Sequence, residues 1–205
     1  MKASRQVYAN AADQYGFGRY SIVLHAPAAT ANEVQRFRVA IGIAHMTTEP
    51  HVSIVSHLFA LQDREKLLIR LRDLAAELAA IRVTFAEPLL HLTEGGAVAR
   101  IVASAELIAM RDATLWQLPG VVSMSQSPDA SWQPHLTVYQ SNSPEVRAKA
   151  ERLSRTLNLG SGFEATSLDL VGRLGTPPDG IREIIATIPL STEASINQQT
   201  PLGRR

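Results

Sequence analysis

Glu49-Pro50-His51-Val52-Ser53-Ile54 and Gln133-Pro134-His135-Leu136-Thr137-Val138 are two copies of one short template: polar residue, proline, histidine, aliphatic, hydroxyl, aliphatic. Alternating apolar and polar residues read as a half-buried strand, and a proline just ahead of the run marks where each strand begins. Each strand leads into an amphipathic segment with helical spacing. A repeated strand–helix unit predicts two similar lobes facing one another.

Outward from these copies, Tyr20–Pro27 (YSIVLHAP) reads as a strand, and Thr30 to Ile41 as a helix with Val34, Phe37 and Ile41 on its buried face and Thr30 or Asn32 as N-cap. Asp63 is placed to cap a helix of about eighteen residues, the usual length range for such a pattern, with Leu67, Leu71, Leu74 and Leu78 as its apolar stripe. The segments 81–94 and 97–104 read as strands joined at Gly95-Gly96, a hairpin signal. Ser104 caps a further helix to about Leu118, and Ser143-Pro144-Glu145 opens another with proline in its first turn and Leu153 and Leu157 on its buried side. Residues 162–174 and 181–190 read as two closing strands around the turn-rich loop from Gly175 to Gly180. The fold class expected is α+β, bilobal and pseudo-symmetric, with two largely antiparallel sheets flanked by helices around a central cleft. Residues 20–190 are expected to form that single domain. The polar stretches 1–19 and 191–205 are expected to be flexible ends.

Alternate strand residues share a face, so His51 projects with Ser53, and His135 with Thr137, while Val52 and Leu136 point into the core. With both strands lining one cleft, two imidazoles and two hydroxyls converge. That set suits displacement at phosphorus: a neutral histidine takes a proton from water or a ribose hydroxyl, and a protonated one gives a proton to the leaving oxygen. An unperturbed imidazole pKa of about 6.5 makes both forms accessible near neutrality. Hydroxyls and backbone amides donate to the phosphate oxygens, and no metal or cofactor is needed. Tyr139 shares the parity of His135 and is expected in the cleft, able to stack on a base, whereas Trp132 is expected in the core.

On these two motifs the chain resembles the two-histidine (2H) phosphoesterase superfamily, which includes the RNA 2′,3′-cyclic phosphodiesterases also called 2′–5′ RNA ligases. The resemblance runs from about Tyr20 to Leu190 and includes the final strand pair. It implies metal-free hydrolysis of a cyclic or 2′,5′-linked phosphodiester, with His51 and His135 catalytic and Ser53 and Thr137 at the substrate, where strand parity adds Tyr139. It further implies His135 as base and His51 as acid. Two departures bear on substrate preference. Tyr139-Gln140 follow the second motif where relatives often carry a basic residue, and the first strand continues Ser56-His57-Leu58-Phe59 instead of an aliphatic run ending in glycine.

Competing patterns carry less. His45-Met46-Thr47 and His91-Leu92-Thr93 repeat the triplet without the preceding proline. His45, His51 and His57 recur every six residues, a step of about 20 Å along a strand, too long for neighbouring ligands of one ion. Gly16-x-Gly18 and Gly160-x-Gly162 lack the strand–helix context of a phosphate loop and read as turns. Arg36 and Arg38 read as solvated helix residues. With no cysteine, thiolate chemistry and disulfides are excluded, in keeping with a reducing cytoplasm. A net charge of +1 gives no global field toward long nucleic acid or a membrane. The partner expected is therefore a nucleotide or RNA terminus met at a local site by a monomer, either hydrolysed or, in the alternative from another class, only bound.

Overall fold

The computed structural model describes residues 19–46, 48–61, 63–124, 132–174 and 181–191. Thr47, the polar ends, the Gly16–Gly18 pair and the Gly175–Gly180 loop lie outside the described residues. The described residues form nine strands and four α-helices. They are β1 (Arg19–His25), α1 (Ala28–Ile41), β2 (His51–Leu61), α2 (Arg64–Glu77), β3 (Ile81–Thr93), β4 (Gly96–Ile101), α3 (Ala105–Trp116), β5 (Val122–Met124), β6 (His135–Gln140), α4 (Pro144–Leu153), β7 (Gly162–Ala165), β8 (Ser167–Leu174) and β9 (Ile181–Pro189). The architecture is α+β, as expected.

Where the expected pattern had two sheets, the strands pair in one continuous order, β7-β3-β4-β6-β2-β1-β8-β9, with β5 on the side of β2, and all named pairs are antiparallel. The motif strands β2 and β6 are the two central neighbours, joined through the single ladder pair Val52–Leu136. To one side lie β1, β8 and β9, and to the other β4, β3 and β7, so the duplicated halves meet at this narrow seam. Val52, Ile54, Leu136 and Val138 are buried in one cluster with Val34 and Phe37 of α1, Leu67 and Leu71 of α2, and Leu107 and Met110 of α3. The helices therefore cover one face of the sheet and leave the other for the motif histidines.

Three local expectations needed correction. Helix α1 begins at Ala28 behind Pro27, with no side-chain cap, and Thr30 is buried inside it. Proline fixes an entry angle that suits a helix start, which makes a hydroxyl cap dispensable. Helix α2 is capped by Asp63, which accepts from the Lys66 amide at 2.9 Å, but ends at Glu77, leaving Leu78 as an extended C-cap. The segment 162–174 is two strands: β7 pairs with β3 at one edge of the sheet, and β8 pairs with β1 and β9 on the other side of the seam. Thr166 is the break between them. Phe163 and Ala165 alternate in one phase and Leu168 and Leu170 in the other, a slip of a single residue that is easily read through as one strand.

Gly96 opens β4 where the hairpin returns against β6. A Cβ there would sit 2.1 Å from the Tyr139 carbonyl oxygen, and its φ of 152° lies outside the usual range of side-chain-bearing residues. Gly96→Ala is expected to cost more than about 1 kcal/mol, read as a lowered thermal midpoint, whereas Gly160→Ala has open space around it and loses only its positive-φ preference.

Candidate active site

The pair Val52–Leu136 sets the geometry of the site. Continuing that antiparallel register by one residue each way puts His51 opposite Thr137 and His135 opposite Ser53. All four lie on the face away from the core, and directly opposed Cβ atoms on such strands are about 4.5–5.5 Å apart. By that register each histidine shares a row with the other motif's hydroxyl residue, a local two-fold relation about the Val52–Leu136 pair. His51 and Ser53 are half-buried, as is Thr137, and His135 is exposed.

The two rings are held alike. His51 Nδ1 donates to the Glu49 carbonyl at 2.7 Å, and His135 Nδ1 donates to the Gln133 carbonyl at 3.0 Å. A carbonyl only accepts, so each Nδ1 carries a proton and Nε2 is the nitrogen able to take up a second one. The residue two before each histidine supplies the carbonyl, and the intervening Pro50 and Pro134 fix the backbone that presents it. This is the local reason for the Pro-His template.

Tyr139 does not join them. Along β4 the partners run Arg100–His135, Ala99–Leu136 and Val98–Thr137, then jump to Ala97–Tyr139. Val138 is the extra residue of a β-bulge, and the bulge turns Tyr139 onto the core-facing side with Ala97. Tyr139 is 1% exposed. Its hydroxyl has no hydrogen-bond partner among the described residues, and burial pushes its pKa up, with Arg147 lowering it and Glu151 raising it from α4. The expected base-stacking role is replaced by a packing role. Tyr139→Phe is expected to leave any turnover within about twofold and to hold or raise stability, because it removes a buried unpaired hydroxyl.

Arg38 is a second correction. Read as a solvated residue, it is 2% exposed, and burial lowers its pKa to about 10. Its guanidinium donates from Nε to the Val138 carbonyl at 2.7 Å, from Nη1 to the carbonyls of Thr48 (2.7 Å) and Met46 (3.2 Å), and from Nη2 to the Thr137 carbonyl at 3.4 Å. One side chain therefore ties the bulge of the second motif to the loop that enters the first. Arg36, by contrast, is exposed and paired with Glu33.

Three more polar residues stand beside the histidines. Arg100 is the β4 partner of His135 and is exposed. His25 is the β1 partner of His51, their ring centroids 5.8 Å apart. The His25 Nδ1 donates to Asp169 Oδ2 on β8 at 2.7 Å. None of these was singled out from sequence, although a lone histidine closing the apolar run 20–24 and a lone acid between Leu168 and Leu170 are visible anomalies. His45 is exposed on the loop before β2, and His91 is exposed on β3, in the row that runs through Val98 of β4 to Thr137 of β6. Trp132 packs partly buried against the core, donates Nε1–H to the Ser53 carbonyl at 3.1 Å, and stacks under the Arg111 guanidinium at 5.0 Å. Among the described residues no three His, Asp or Glu side chains gather as a metal-binding group, and no helix is long and apolar enough to cross a membrane.

The sequence profile of the 2′-5′ RNA ligase superfamily matches residues 26–177. The chain belongs to the 2′-5′ RNA ligase superfamily. No curated protein is significantly similar to it in sequence. Among solved structures, Escherichia coli LigT complexed with NADP+ aligns with a TM-score of 0.59 at 11% identity, covering 86% of this chain and 99% of that one. The same protein complexed with 3′-AMP aligns at 0.56 and 11%, covering 85% and 98%. TT0787 of Thermus thermophilus aligns at 0.58 and 11%, covering 84% and 97%. At such identity these superpositions establish the 2H phosphoesterase fold of this superfamily member.

Proposed function

We propose that this chain is a metal-independent phosphodiesterase that hydrolyses 2′,3′-cyclic phosphate or 2′,5′-linked ends of nucleotides or RNA. The observation that carries the reading is the matched pair of motif histidines on adjacent strands, each with Nδ1 committed to a carbonyl and each opposite a hydroxyl. His135 Nε2 takes a proton from water as the water oxygen bonds to phosphorus. The bond from phosphorus to one ribose oxygen breaks, and that oxygen receives the proton from His51 Nε2, so a cyclic ester becomes a nucleoside monophosphate. Ser53 and Thr137 donate to the non-bridging oxygens as charge develops there. Membership of the superfamily supports this chemistry, and the NADP+ and 3′-AMP bound to LigT support a nucleotide as the ligand class. Arg100, beside His135, is placed to meet the phosphate or the next nucleotide.

The test is incubation of the wild-type protein with the four nucleoside 2′,3′-cyclic phosphates and a 2′,5′-linked dinucleotide in EDTA. Release of a monophosphate or cleavage of the dinucleotide is the result expected. Saturable nucleotide binding with no turnover of any of these would make the protein a binding module.

A further inference from the structure

The two halves of the site are alike in backbone and unlike in charge. Around His51 stand His25 on β1, the buried Asp169 on β8 behind it, and Glu49 on the entering loop, with Thr137 across the seam and His135 diagonal to it on β6. Around His135 the flanking charged residue is Arg100. Resting on the two-histidine reading above, we propose that His25, anchored by Asp169, is a positioning residue that braces the His51 ring and disposes His51 to hold the proton it donates.

The geometry is specific. Asp169 is 3% exposed and sits opposite Val23, two residues before His25, so its carboxylate reaches along β1 to His25 Nδ1. A buried carboxylate is costly unless a donor meets it, so the pair locks the His25 ring in one orientation. That ring lies 5.8 Å from the His51 ring at a tilt of 58°. Its other nitrogen, Nε2, faces the Glu49 carboxylate at 3.7 Å, and the Glu49 main-chain carbonyl is the acceptor for His51 Nδ1. His25 thus touches both the ring of the proposed acid and the residue that sets its tautomer. The charge has a sign as well. With His25 neutral the group His25–Asp169–Glu49 carries two negative charges, and with His25 protonated it carries one. In either state a net negative charge adjoins His51 and favours its imidazolium, the form an acid catalyst needs. Beside His135 the strand partner is Arg100 instead, so the pseudo-symmetric pair stands in two different charge settings.

The decisive readout is the histidine Cε1–H titration by NMR on the protein alone, which does not depend on turnover. Asp169→Asn keeps the shape and removes the charge. The His51 midpoint is expected to fall by about half a unit or more relative to wild type, as expected for loss of a charge at this remove, while the His135 midpoint follows the wild type. In kinetics the alkaline limb of the kcat profile moves to lower pH in step, with KM within about twofold. Where Asp169→Asn is poorly folded, His25→Phe with Asp169→Leu removes both members together, leaves no orphan charge, and is expected to move the His51 midpoint the same way. A folded variant whose His51 midpoint stays at the wild-type value overturns the proposal, whatever its thermal midpoint, because that is the behaviour of a purely structural pair. Absence of wild-type turnover would instead remove the hydrolase reading and leave the titration result standing.

Discussion

His51→Ala and His135→Ala each lower turnover of the preferred phosphodiester by about 10² or more, the usual contribution of a general acid or base. Neither unfolds the protein, because both side chains lie outside the buried cluster, His51 half-buried and His135 exposed. The double variant is expected to be little worse than the poorer single one, since proton removal and proton delivery serve one displacement and groups that act as a unit are not additive. Ser53→Ala and Thr137→Ala, which remove only a neutral donor to the phosphate, are expected to be milder than either histidine variant. Steady-state assays in EDTA beside circular dichroism of each variant check this. Full activity in either histidine variant would end the catalytic assignment for that residue.

Arg38→Met lowers stability by about 3 kcal/mol and activity with it. The guanidinium leaves behind carbonyls at Thr48, Val138 and Met46 that are bonded to it in the folded chain, and an abandoned buried acceptor costs about 1–3 kcal/mol. For a protein of this length that corresponds to a fall of roughly 6–12 °C in thermal midpoint. Arg38→Lys is expected to recover only part of it, because one ammonium cannot reach carbonyls on two sides as the planar fork does. Calorimetry settles the magnitude. A midpoint within about 2 °C of wild type, less than 1 kcal/mol by the same scaling, would mean that the bulge and the entry loop hold without this staple.

Much of the site was legible because its signals are local. The Pro-His template, the period-two alternation and the hydroxyl two residues on all follow from strand geometry, and they put His51, Ser53, His135 and Thr137 on one face. What escaped depends on partners far along the chain. Tyr139 follows the alternation of its own strand perfectly, and only the pairing with β4 reveals the extra residue at Val138 that turns it inward. Arg38 looks like any helix arginine until Met46, Thr48 and β6 close over it with carbonyls, which leave no charge pattern in the sequence. His25 and Asp169 are separated by most of the domain and meet only because β8 returns beside β1. The helices and most strands were readable from periodicity, whereas the split at Thr166 and the short β5 were not. β5 is only three residues long, and one residue, Thr166, separates β7 from β8, each too brief to stand out from the apolar residues around it.

The pH profile of kcat/KM in EDTA, measured for wild type, His51→Ala and His135→Ala on the best cyclic phosphate, bears most directly on the two-histidine mechanism. A bell for the wild type, with the acid limb lost in His135→Ala and the alkaline limb lost in His51→Ala, is the result expected of one base and one acid. A bell of unchanged shape in both variants would contradict it and place the titrating groups elsewhere.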